Sequence, residues 1–345
     1  MASDATTQAF LATLNDIQVS APITKLLAGL KDAVGENYPI LKYMNDNCKE
    51  PLDGGGLVEW KIRYNLPDAT GYWGPSDVES EKTPLFKDLS LPRSAMSIGI
   101  VYYRTDKIQN KGPDAQLDYV AQAIDAAKDG FSKRLALNLH GNGTNDANGT
   151  AMVGPAGHHI YGLQYGLPDD PTAGTYAGHT RDATDDTRWL RPWNTTLANL
   201  NALDTNKMEQ LYGKCSRDGK SPDLIVCSAE GYRRIKVIAQ SDKWFDASQR
   251  ERDLSFPESI KFKNANIIPT PAMTIKDDGG LLDANIDRIY FLNTKDGMSW
   301  MVDPSEDMAL EGPMERTEQH TYIQYMYWNG QYILTMPNLN GIFHW

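Results

Sequence analysis

The chain has 345 residues, 41% hydrophobic and 23% charged, an ordinary globular make-up and enough length for about two cores. Its net charge of −11, with no long run of Lys and Arg, excludes a sequence-reading nucleic-acid binder, although an acidic wall can enclose DNA without trapping its phosphates. The scattered cysteines Cys48, Cys215 and Cys227 imply no disulfide framework and fit a reducing cytosol; the N-terminus does not read as a secretory signal, and no run of about 18 apolar residues offers a membrane span.

Residues 1–35 form a polar leader with apolar positions at Leu11, Leu14, Ile17, Leu26, Leu27 and Leu30. It reads either as a short amphipathic helix docked on the body or as an arm laid over a neighbour. Gly54, Gly55 and Gly56 follow; with no Lys-Ser/Thr behind them they are no phosphate loop, and they read as a hinge. In the next stretch Val58, Trp60, Ile62 and Tyr64 alternate with Glu59, Lys61 and Arg63, the period of a half-buried strand. A second alternation, Met96, Ile98, Ile100 and Tyr102, reads as its return, making Leu57 to Tyr103 one long two-stranded arm. Such a ribbon is marginal in water by itself, so its apolar face is expected to be covered by another copy of the chain. The contact candidates are Trp60, Ile62, Tyr64, Tyr72, Trp73, Phe86, Met96 and Ile98.

Gly112-Pro113-Asp114 starts a helix whose apolar face runs Leu117, Val120, Ala121, Ile124, Ala127, Phe131, Leu135 and Leu139. At about 26 residues it would be 39 Å long. Gly130 in its middle is either a bending point or the site of a close packing contact. A Gly/Asn-rich turn and an irregular region follow it. Asp204 or Thr205 then caps a helix carrying Met208, Leu211, Tyr212 and Cys215. Leu224 to Cys227 reads as a buried strand, and Ser228 caps the helix after it. The remainder is mostly β, and Asn329-Gly330 is a strong local signal for a hairpin turn.

Candidate chemistry is sparse. His158-His159 has no HExxH or CxxC spacing to complete a metal site. The loop Asn142 to Thr150 lacks the carboxylates and closing Glu of a calcium loop. Cys227 precedes a helix N-terminus but closes an apolar run, so it reads as a core thiol. The paired acids Asp169-Asp170 and Asp185-Asp186 lie in loops. No catalytic residue, metal ligand or cofactor is expected, and the chain is not read as an enzyme.

One succession of segments carries a resemblance. The arm and long helix are followed by Gly162 to Leu167 (GLQYGL), Gly174 to Gly178 (GTYAG) and Thr187 to Trp193 (TRWLRPW). Ser221 to Ser228 (SPDLIVCS) with Tyr232 comes next, then Tyr290 to Lys295 (YFLNTK). In this order the segments resemble the major capsid proteins of tailed double-stranded DNA bacteriophages. The resemblance implies an α+β, Hong Kong 97-type fold with an N-terminal arm (1–35), an extended loop (53–103) and a spine helix. It implies a peripheral domain (36–52, 104–140 and 301–328) and an axial domain (141–300 and 329–345). It further implies a homo-oligomer, with hexamers and pentamers of an icosahedral head around DNA, no membrane, and a virion built in the bacterial cytoplasm. A portal protein and a cement protein would be partners. With only residues 1–35 before the body, the scaffold is expected to be a separate protein. Lys82 and Lys87 lie in the arm, but no partner for a covalent cross-link can be matched. An encapsulin-type compartment shell is the alternative within the same architecture; a glycan-binding or decoration protein is the alternative outside it.

Overall fold

In the computed structural model, residues 38–65, 84–105, 119–146, 151–152, 158–182, 184–241, 260–270, 288–316 and 321–345 are described. The first element, helix α1 (Pro39–Asn47), carries Pro at its first turn, where the missing N–H costs nothing. It buries Ile40, Leu41 and Met44. Strand β1 (Lys49–Pro51) follows directly. Strands β2 (Leu57–Arg63) and β3 (Phe86–Pro92) form an antiparallel hairpin, and β4 (Ser94–Tyr103) begins one residue later. Helix α2 (Tyr119–Leu139) is the long helix, and its described part ends at the expected Leu139.

The central region holds the short helix α3 (Leu163–Gly166) and the small strands β5 (Thr175–Tyr176), β6 (His179–Thr180) and β7 (Trp193–Thr196). Helix α4 (Thr205–Cys215) is capped by Asp204, whose carboxylate accepts from the amide of Lys207 at 2.8 Å. Strand β8 (Leu224–Cys227) leads into helix α5 (Ala229–Ser241), where Ser228 Oγ accepts from the amide of Gly231 at 3.1 Å. The chain ends with β9 (Ile260–Phe262), β10 (Ala265–Pro269), β11 (Arg288–Leu292), β12 (Ser299–Arg316), β13 (Thr321–Ile333) and β14 (Gly341–His344).

Two main sheets organise these elements. One is four-stranded, in the order β1-β12-β13-β4; the other is six-stranded, in the order β7-β14-β11-β8-β10-β9. In the six-stranded sheet alternate residues enter different cores. Leu224, Val226, Tyr290 and Leu292 join a cluster with α1, α2 and the four-stranded sheet. Ile225, Cys227, Ile289 and Phe291 join a second cluster with α4 and α5. Both faces are thus covered, which is why β8 and Ile289 to Leu292 of β11 read as unbroken apolar runs.

Two expectations are corrected here. The return strand of the arm is Phe86–Pro92, not Met96 to Tyr102: Val58 faces Leu91 and Trp60 faces Leu89. Strand β4 instead lies along β13, with Met96 opposite Trp328 and Tyr102 opposite Tyr322. Alternation marks a strand but carries no information about its partner, which here lies more than two hundred residues away. The second correction concerns Asn329-Gly330, which sits inside the continuous strand β13 and makes no turn. Gly330 is needed there for close approach, since a Cβ would lie 2.4 Å from the carbonyl of Met301 and 2.9 Å from the Trp328 ring.

Candidate assembly surfaces

The hairpin alternates as a strand should. Val58, Ile62, Leu89 and Leu91 point into the main core, while Lys61 and Asp88 pair across the outer face at 3.5 Å. The underside is met by the chain's own central region. Trp60 stands edge-on to Tyr176, with ring centroids 6.4 Å apart, and the Tyr64 ring is 6.1 Å from Trp189. His179 Nε2 donates to the carbonyl of Asp88 at 2.8 Å, and the Lys87 ammonium lies 5.1 Å from the Tyr64 ring centroid.

The expectation that this face waits for another copy is therefore corrected over the described stretch. Ile62 is only 4% exposed, and Trp60 and Tyr64 pack against the same core. Phe86 differs: it lies on the outer face and is 62% exposed. Met96 and Ile98 are half-buried on β4, where Met96 Sδ accepts from Asn138 Nδ2 of α2 at 3.6 Å. Tyr72, Trp73 and Lys82 lie outside the described residues.

The hinge candidates fall in two settings. Gly54 and Gly55 have φ of +54° and +80°, a backbone that side-chain-bearing residues avoid. Gly130 lies within the unbroken helix α2, and a Cβ there would meet nothing within 4 Å, so no close packing contact among the described residues accounts for this glycine. It also marks a boundary. Phe131, Leu135, Ala136 and Leu139 beyond it are buried, whereas residues 128–130 are exposed.

The four-stranded sheet has one covered face and one partly open face, on which Ile323 and Ile333 are buried. Toward α2 it presents Ile100, Tyr102, Met326 and Trp328, all buried. Away from it, Val101, Ile323 and Met314 lie on one rung, and Val101 and Met314 are 52% and 48% exposed. Tyr103 is exposed on the same side, and Tyr325 and Tyr327 stack there with centroids 6.0 Å apart. The pKa of the Tyr327 hydroxyl is raised by partial burial and then by Glu311 and Glu306.

The titratable groups in the interior are shaped by burial. Burial pushes the Cys48 thiol up to about 12 and the thiols of Cys215 and Cys227 further still, so none is a ready nucleophile. It pushes His140 down to about 3. Asp169 is held by Arg288 through bonds of 3.0 and 2.7 Å, and Asp170 by Thr172. Among the described residues no group of three His, Cys, Asp or Glu is placed to hold a metal ion.

By sequence, no family model and no curated protein matches the chain. By structure it is similar to the capsid subunit of cyanophage A-1(L), with a TM-score of 0.66 at 13% identity over 96% of this chain and 98% of that one. It is similar to the capsid of a native GTA particle, with a TM-score of 0.61 at 9% identity over 94% of each chain. A holo encapsulin complex from Synechococcus elongatus matches with a TM-score of 0.54 at 9% identity, over 96% of this chain and 94% of that one. The α+β fold expected from the resemblance, the Hong Kong 97-type capsid fold, is the fold observed.

Proposed function

We propose that this chain is a major capsid protein, a non-enzymatic coat subunit that assembles with identical copies into hexamers and pentamers of an icosahedral phage head around double-stranded DNA. The observation that carries the reading is the likeness to phage and GTA capsid chains, which spans nearly the whole length of both partners. The exposed apolar residues Val101, Tyr103 and Met314 of the four-stranded sheet support it, because clustered apolar surface marks a contact site. Each contact between copies can be weak, since a closed shell sums many of them.

In this reading residues 1–35 are an N-terminal arm and 53–103 the extended loop. Residues 36–52, 104–140 and 301–328 are the peripheral domain, and 141–300 and 329–345 the axial domain. Phe86, Tyr72 and Trp73 are the loop residues left to meet neighbours. The glycines at 54–56 and Gly130 give way as the shell expands. A scaffold, a portal and a cement protein complete the particle, which is built in the host cytoplasm.

Electron microscopy of the purified protein tests the assembly, and analysis of particle contents tests the cargo. Closed shells with nuclease-protected DNA from infected cells support the proposal. Shells enclosing an enzyme and no genome favour the encapsulin reading, for which the Synechococcus likeness speaks. A monomer at every salt and protein concentration overturns both.

A further inference from the structure

We propose that Arg93 is the residue that sets the direction in which the β2–β3 hairpin leaves the body. The inference concerns a single chain, and it stands whether or not the chain builds a shell.

Arg93 is the one residue between the end of β3 at Pro92 and the start of β4 at Ser94, the point where the chain passes from hairpin to sheet. Its guanidinium spreads over three segments. Nη1 donates to the carbonyl of Gly55 at 2.9 Å, Nη2 to Asp303 Oδ2 on β12 at 2.7 Å, and Nε to Asn329 Oδ1 on β13 at 3.2 Å. Its backbone amide donates to the carbonyl of Gly56 at 3.3 Å, and its own carbonyl accepts from His158 Nδ1 at 3.1 Å. Only a planar fork with several fixed donors can bridge acceptors arranged in this way.

The side chain is 13% exposed and that of Asp303 20%, so this ion pair is screened far less than one in open water. Asp303 is itself held in place by the amide of Ser305 at 3.0 Å and its hydroxyl at 2.7 Å. Opposite lies the weakest backbone of the region. Gly54, Gly55 and Gly56 have no side chains to anchor, and both Gly55 and Gly56 give their carbonyls to Arg93. The strand leaving the hairpin has a second anchor, since the buried Gln331 donates to the carbonyl of Pro92 at 2.7 Å and to that of His159 at 3.0 Å. The strand entering it is tied at its glycines through Arg93. Apolar packing beneath the hairpin adds adhesion but is non-directional, and His179 ties the Asp88 carbonyl further along β3; at the hairpin's base the directional bonds are those of Arg93 and Gln331.

The test is a spin-label distance measurement between Lys61→Cys on the hairpin and Arg233→Cys on α5, in labelled chains diluted with unlabelled ones. The native cysteines are buried and do not compete for label. The parent gives one narrow distance distribution. Arg93→Ala broadens or shifts it, and amide exchange in β2 and β3 rises on the order of tenfold while β8 and β11 stay protected. Arg93→Lys, which keeps the charge opposite Asp303 but cannot span the three acceptors, gives an intermediate result. An unchanged distribution in Arg93→Ala overturns the inference. Loss of protection in β8 and β11 to the same degree as in the hairpin also overturns it, because Arg93 would then merely support the whole fold.

Discussion

The two main sheets follow different rules of burial. In the six-stranded sheet every residue of β8 and β11 is buried, with alternate side chains sent into two separate cores. In the four-stranded sheet the face toward α2 is closed, while the other is closed at Ile323 and Ile333 and leaves Val101, Tyr103 and Met314 exposed. The first region is finished as a single chain. The second has apolar area to spare, and that area is where binding energy between copies would come from.

Substitutions in the two regions should therefore separate stability from assembly. The largest expected effect is in the finished sheet. Phe291→Ala empties a fully buried site packed against Phe343 and should cost about 3–5 kcal/mol in denaturant unfolding. A cost below about 1 kcal/mol would break the comparison, since a closed core cannot lose a phenyl ring cheaply. Next comes Gly330→Ala, which forces a methyl against the Met301 carbonyl and should cost about 1–3 kcal/mol. A neutral result in thermal melting would show that the neighbours give way freely and would remove close approach as the reason for this glycine.

The contrast can be sharpened with acid. His140 is wholly buried beside Tyr290 and stays neutral in the fold down to about 3, while the unfolded chain takes up its proton near the ordinary value of 6.5. The unfolded state binds the extra proton, so stability falls as pH drops through that window. The loss is on the order of 2 kcal/mol by pH 5, and it vanishes once the pH is about one unit above 6.5. His140→Gln should remove that part of the pH slope; an identical slope in the variant would assign the acid sensitivity to the carboxylates. The smallest effect on stability lies on the open face. Met314→Glu should change unfolding by no more than about 0.5 kcal/mol, yet abolish particles in sedimentation. Normal particles from Met314→Glu would remove this face from the assembly surfaces.

Much of the local structure was legible beforehand. A cap at Asp204 or Thr205 and the apolar spacing of Met208, Leu211, Tyr212 and Cys215 announced α4, and the structure makes Asp204 the cap. Ser228 starts α5, and the uninterrupted run Leu224 to Cys227 marks a strand covered on both faces. The hairpin's first strand was evident, whereas its partner was hidden. Phe86–Pro92 mixes charge, Ser and Pro with its two inward residues, Leu89 and Leu91, so its period is short and easily read as punctuation. Arg93 was invisible for a different reason. A single Arg between a Pro and a Ser has no spacing or pattern, and its acceptors come from residues 55, 303 and 329.

What the amino-acid order determined by itself is what depends on neighbours a few residues apart, helix caps and strand periodicity, together with the order of segments that resembles capsid chains. What only the tertiary structure decided is pairing and exposure: β2 with β3 and not β4, Asn329-Gly330 as strand and not turn, the hairpin's underside covered from within. The physical reason is that a pleated strand presents the same alternation to any partner. Which partner it takes, and which face stays wet, is settled by the packing of segments hundreds of residues apart.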